Sequence, residues 1–223
     1  MKKVEFVCLA NSRKMSGSCI AGKIVGTNQW IRLVTPREYK EISFKEQRYM
    51  SGQFPKVLDI IEVLLKEHQP ILFQKENYLI DNRYSWKKKG DFSGDLDTLL
   101  DSPTDLWGIG SSTYYGLNDR FEDHISPFFK NSLYFIKPKG IRIIVSKEER
   151  RADNPKRKVR AEFQYNGIIY IFPITDPRIE NMYLRGKDGI FDLKKNNIFF
   201  CVSIGLPYKG FCYKFIASLI ETK

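Results

Sequence analysis

Between Lys158 and Tyr165 the residues alternate, with Val159, Ala161, Phe163 and Tyr165 on one side and Arg160, Glu162 and Gln164 on the other. Asn166-Gly167 then interrupts before a second apolar run, Ile168 to Ile174. A period of two marks a strand with one buried face, and Asn-Gly is the pair a type I′ turn prefers, because both its central residues take positive φ. A tight β-hairpin is predicted here. It sets the scale of the whole chain: short strands joined by turns.

Similar runs are grouped at both ends. Lys3 to Ala10, Cys19 to Val25, Trp30 to Val34, Val57 to Leu65 and Pro70 to Ile80 read as five extended segments, with a polar insertion, Pro36 to Met50, after the third. Near the other end, Ser132 to Ile136 and Ile141 to Val145 precede the hairpin, and Ile198 to Ser203 and Phe211 to Ile220 follow it. A polar insertion again comes after the hairpin, where Asp176, Pro177 and Glu180 fit the N-cap, first position and opening turn of a helix. WIRLVTP (Trp30 to Pro36) and YIFPITDP (Tyr170 to Pro177) end the two hairpins alike. The equal Cys8/Cys19 and Cys201/Cys212 spacings fall at different places in the two halves.

The middle differs in character. It holds Lys87-Lys88-Lys89, leucines spaced for one short helix before Pro103, and a Gly/Ser/Tyr-rich piece from Gly108 to Gly116. A five-stranded antiparallel Greek-key barrel with a helix or loop between strands three and four is the OB arrangement, and two copies need about this many residues. The fold predicted is therefore mainly β with short helices. Two OB-fold-like five-stranded barrels, over 1–80 and 132–223, are joined by an elaborated linker over 81–131.

The chemistry is bounded by what the chain contains. A net charge of +11 favours anionic partners. No apolar run approaches the roughly 20 residues of a membrane span, and Glu5 interrupts what would be a signal-peptide core in MKKVEFVC, so a cytoplasmic protein without a membrane partner is predicted. Cys8, Cys19, Cys201 and Cys212 form no C-x-x-C pair and His68 and His124 stand far apart, so neither a metal nor another cofactor is expected. No P-loop, dinucleotide fingerprint, H-E-x-x-H or G-x-S-x-G is present, and no catalytic residue is nominated.

Candidate binding residues follow from pairing cations with rings. Trp30 and Arg32 share one face of their strand, which would set a stacking ring beside a phosphate donor; the alternative is a ring covering a barrel edge beside a solvated arginine. Arg13 and Lys14 fall in the expected loop between the first two strands. The densest basic run includes Arg150, Arg151, Lys156, Arg157 and Lys158, suited to phosphates without base reading, or to solubility alone. Asn118 and Arg120 could read a base edge and grip a phosphate, or could join the barrels through structural contacts. Lys87 to Lys89, beside Tyr84 and Trp86, form a second basic and aromatic candidate.

VCLANSRKMSGSCIAG, WIRLV with Thr35-Pro36, Gln74 to Asn77, Asn118-Asp119-Arg120-Phe121 and the closing CVSIGLPYKGFCYKFIASLI resemble the bacterial and phage dual OB-domain proteins over nearly the whole chain. The resemblance implies two OB barrels and a nucleic-acid or nucleotide-linked role, in a setting of conflict between phage and host. It brings no established reaction. The function predicted is a non-catalytic module binding single-stranded DNA or RNA through a basic aromatic groove. The alternatives are an enzyme or sensor for a nucleotide or ADP-ribose-like molecule, and a scaffold for protein partners.

Overall fold

The computed structural model describes residues 1–148, 156–195 and 197–222. The chain is mainly β and divides into two compact units, one of residues 1–100 and 130–132, the other of 101–129 and 133–223.

The first unit contains β1 (Lys2–Lys14), β2 (Gly17–Ile24), β3 (Trp30–Val34), β4 (Asp59–His68), β5 (Asn77–Ile80) and β6 (Lys87–Asp91). Their order is β1-β2-β3-β5-β4-β6, and β1 also pairs with β4, so five strands close into a barrel. The parallel β3–β5 pair is the exception among antiparallel ladders. One strand serves two neighbours because β1 bends at a bulge between Cys8 and Ala10, pairing β4 over its first half and β2 over its second. Gly22 lies against that bulge. A Cβ there would stand 1.9 Å from the Val7 carbonyl oxygen, so no larger residue fits. Phe6, Cys8, Ile20, Ile31, Leu33, Ile61 and Val63 point inward and form the core.

The second unit contains β7 (Arg120–Glu122), β8 (Leu133–Ile136), β9 (Lys139–Glu148), β10 (Lys156–Tyr165), β11 (Ile168–Pro173), α1 (Pro177–Leu184), β12 (Gly189–Asp192), β13 (Ile198–Ile204) and β14 (Phe211–Glu221). They make two four-stranded sheets, β11-β10-β9-β12 and β7-β14-β13-β8. A parallel bridge between Ile174 and Ile216 links the two sheets. The predicted hairpin is β10–β11, with Asn166 and Gly167 at φ 48° and 82°. The predicted cap holds as well: the Asp176 carboxylate accepts from the Arg178 N–H, with Pro177 opening α1.

The stretch expected as a linker divides between the units. Lys87–Asp91 pairs with β4, Trp86 is buried in the first core, and a single 3-10 turn forms over Leu96–Leu99. From Asp101 onward the chain packs with the second unit: the Asp101 N–H donates to the Phe135 carbonyl at 2.7 Å, and the Phe135 N–H returns a bond to the Asp101 carboxylate at 2.8 Å. Pro70 to Ile80 is shorter as a strand than predicted, because Ile71 and Gln74 close a turn before β5.

Candidate nucleic-acid interface

In the first unit Lys14, Trp30 and Arg32 lie on the outer side of the barrel, where its own groups meet Trp30 and Arg32. Arg13 and Lys14, expected in the loop between the first two strands, instead end β1, where they pair with Ser18 and Gly17; Arg13 is exposed and Lys14 half-buried. Trp30 is half-buried with the Lys23 ammonium 5.3 Å from its ring centroid, and that ammonium also donates to the Leu99 carbonyl at 2.7 Å. Arg32 shares Trp30's face, as alternation requires, but its side chain is 3% exposed and lies 3.1 Å from Glu76. A solvent-facing phosphate donor is not what this position provides. The second basic and aromatic candidate is similar: Lys88 contacts Asp59 and Asp91 at 2.6 Å, Lys89 faces Glu5 and Glu62, and Trp86 is buried.

In the second unit the basic run divides. Arg150 and Arg151 lie outside the described residues. Lys156 is exposed. Arg157 closes the end of α1, donating to the Leu184 carbonyl at 2.7 Å and the Gly186 carbonyl at 2.9 Å while contacting Asp188 at 2.7 Å. A cation suits that place, where the helix leaves its last carbonyls unpaired. Lys158 lies 3.4 Å from Glu148.

Asn118 is architectural. It takes φ 53°, and its side-chain amide donates to the Ile169 carbonyl at 3.0 Å. Next to it, the buried Asp119 carboxylate holds the 108–117 loop by accepting from the Thr113 N–H at 2.7 Å and hydroxyl at 2.5 Å. Arg160 reaches the same carboxylate at 3.1 Å and grips Glu148 through two bonds of 2.6 and 3.1 Å. Only glycine fits at 116, since a Cβ there would stand 1.8 Å from Asp119 Oδ2. The loop fixed in this way carries two rings, an exposed Tyr114 and a half-buried Tyr115, edge to face at 4.7 Å.

Arg120 follows, and here the surface becomes both cationic and aromatic. Its guanidinium lies over the Phe211 ring at 4.1 Å, and its Nε donates to the Ser111 hydroxyl at 3.2 Å. Register sets Arg120 opposite Tyr213. Along β14 the residues Phe211, Tyr213 and Phe215 alternate outward, each half-buried, while Cys212, Lys214 and Ile216 point in. Before β14, a turn through Lys209 (φ 51°) and Gly210 (φ 80°) presents an exposed Tyr208, with the Lys209 ammonium 5.4 Å from its ring. Exposed Glu122 pairs with Phe211 across the ladder and is the acid on this patch.

Beneath it lies Lys214, fully buried, its ammonium donating to the Gly108 carbonyl at 2.9 Å within 6 Å of the Phe121, Tyr170 and Phe172 ring centroids. Burial drives its pKa down to about 8, against the opposing pull of Asp105 and Asp119.

A closed five-stranded barrel carrying outer cations and rings is an OB arrangement, and the comparison with known families agrees. The chain belongs to the dual OB-containing domain family. The match to the family's sequence model covers residues 4–219 of the 223. No curated protein matches the chain. Among the described residues no helix is long and apolar enough to cross a membrane.

The pairing of Arg120 with Phe211 is what sequence reasoning missed. Its signal was present in the outward stripe Phe211, Tyr213, Phe215 and the preceding Tyr208-Lys209-Gly210, but nothing local connects that stripe to Arg120.

Proposed function

We propose that the protein is a non-catalytic nucleic-acid-binding module made of two OB barrels, and that single-stranded DNA or RNA lies on the β7–β14 face of the second unit. The observation that carries this reading is the Arg120 guanidinium stacked at 4.1 Å on a half-buried Phe211, with Tyr213 directly opposite. Rings with a free face accept any base, and an adjacent guanidinium supplies phosphate attraction.

Pairing in the second unit supports a second barrel. β8 pairs β13 and β9 pairs β10, so 133–148 follows the course that β1 follows in the first unit, broken where Pro138 supplies no N–H. The Ile174–Ile216 bridge is parallel, as β3–β5 is, and α1 lies between the third and fourth strands of that circuit. The alike endings at Thr35-Pro36 and Asp176-Pro177 then fall at corresponding third strands. The four free cysteines, three of them buried, support a reducing cytoplasmic setting.

The test is fluorescence anisotropy with labelled single-stranded DNA, single-stranded RNA and duplex at two salt concentrations. Binding that falls with salt and weakens in Phe211→Ala and Arg120→Gln is the expected result. Undetectable binding to all three, or full affinity in both variants, would overturn it.

A further inference from the structure

The outer face of β1, β2, β3 and β5 holds a second feature, which neither the barrel core nor a nucleic-acid track explains. Lys14 is in register with Gly17, Ser12 with Cys19, Ala10 with Ala21, Ala21 with Arg32 and Arg32 with Asn77, so these residues share one face. Gly17, Cys19 and Ala21 give it a floor of small side chains. Glu41 overhangs that floor, its Cγ 3.2 Å from where a Cβ on Gly17 would stand.

The polar groups above the floor are incompletely met. Arg32 Nη1 stands 3.1 Å from Glu76 Oε1 as an ion pair without hydrogen-bond alignment, and its Nε has no hydrogen-bond partner among the described residues. Asn77 Oδ1 and Glu41 Oε2 are buried and equally unmet. Leaving such atoms without partners is costly, and native interiors do it rarely. Charge is unmatched too: Arg32, Lys40 and Glu41 all act on Lys14, and Glu76 stands against Arg32, three cations to two carboxylates. The Lys14 ammonium is disfavoured by burial and further by Arg32, a repulsion that an anion between them would relieve.

The unmet atoms include one donor nitrogen, Arg32 Nε, and two acceptors, and one kind of occupant answers both. We infer that this face binds a small phosphate monoester bearing hydroxyl groups, of the sugar-phosphate class. The phosphate meets the Arg32 nitrogens and the Lys14 ammonium, and the hydroxyls donate to Asn77 Oδ1 and Glu41 Oε2. A guanidinium fork with a neighbouring ammonium suits the two charges of a terminal phosphate. The near-complete burial of Arg32 admits a terminal group and not a continuous strand.

Isothermal titration and thermal melting with ribose 5-phosphate, inorganic phosphate and ribose test this site. Ribose 5-phosphate is expected to bind and raise the melting temperature, at least about tenfold more tightly than inorganic phosphate, with ribose inert. Lys14→Met, which breaks no ion pair with Glu76, is expected to weaken binding about tenfold, and Arg32→Lys, which keeps the charge but loses the fork, to weaken it further. No binding at ~10 mM ribose 5-phosphate, equal affinity for inorganic phosphate, or undiminished binding in Lys14→Met would each overturn the inference. Arg120→Gln separates it from the nucleic-acid reading: that variant is expected to lose the polymer and keep ribose 5-phosphate.

Discussion

Each unit buries an arginine on a strand, and the two are held differently. Arg160 bridges two carboxylates, Glu148 and Asp119, through three hydrogen bonds, and in doing so fixes the 108–117 loop. Arg32 has the single carboxylate of Glu76, against Nη1, and retains an unmet Nε. The same contrast extends to the surface. Cations of the first unit, Lys23, Arg32 and Lys88, are taken up by its own carbonyls and carboxylates, whereas Arg120 of the second lies on the half-buried Phe211 ring with a serine hydroxyl at its Nε. Strand position therefore does not decide whether a cation is structural or available. The groups that the fold brings against it do.

The largest effect should come from breaking the Arg160 network. Arg160→Met leaves two buried carboxylates without their partner, and a loss of about 3–5 kcal/mol is expected in urea denaturation. Arg32→Met strands only Glu76 and should cost less. If the two variants lose stability equally, the distinction between a satisfied and an unsatisfied arginine fails.

Next comes the open ring. Phe211→Ala should weaken single-strand binding by about 1–3 kcal/mol, and Arg120→Gln should also lower the salt slope by about one unit. Trp30→Ala, on a ring already covered by Lys23, is expected to have the smaller effect in the same anisotropy assay. Reversal of that order would move the interface to the first unit.

A pH series sharpens the contrast at Lys214. Its pKa is about 8 folded against 10.5 unfolded, so between those values the unfolded chain binds more protons and stability rises with pH. The penalty of burying the charge is complete below pH 8 and relieved by about 10.5. Lys214→Met should lack this rise, measured as the difference between the two melting curves across that window. The smallest expected effect is at the acid of the patch: Glu122→Gln should tighten nucleic-acid binding by about twofold, by removing repulsion of phosphate at an exposed rim.

Much of the fold was legible in the residues themselves. Asn166-Gly167 dictates its turn because few residues tolerate positive φ, and Asp176-Pro177 opens α1 through contacts made within three residues. Apolar runs of strand length located β1, β2, β3 and β11, and alternation located β10 and β14, to within a few positions. β6 and β12 escaped because Lys87–Asp91 and Gly189–Asp192 carry little alternation and owe their extended form to the strands they join, β4 and β9. The division of 81–131 between the units escaped for a like reason, since Trp86 and Asp101 show their allegiance only through partners distant in the chain.

What the chain determined by itself was its β character, the places of its tight turns and helix cap, and an excess of positive charge, all set by local φ, ψ and side-chain chemistry. Only the tertiary structure decided which cations are buried against carboxylates and which lie on aromatic faces. That choice depends on strand register: Arg120 meets Phe211 because β7 pairs with β14, and Arg32 meets Glu76 because β3 lies beside the turn that leads into β5. Register is a property of distant segments in contact, and composition and spacing do not contain it.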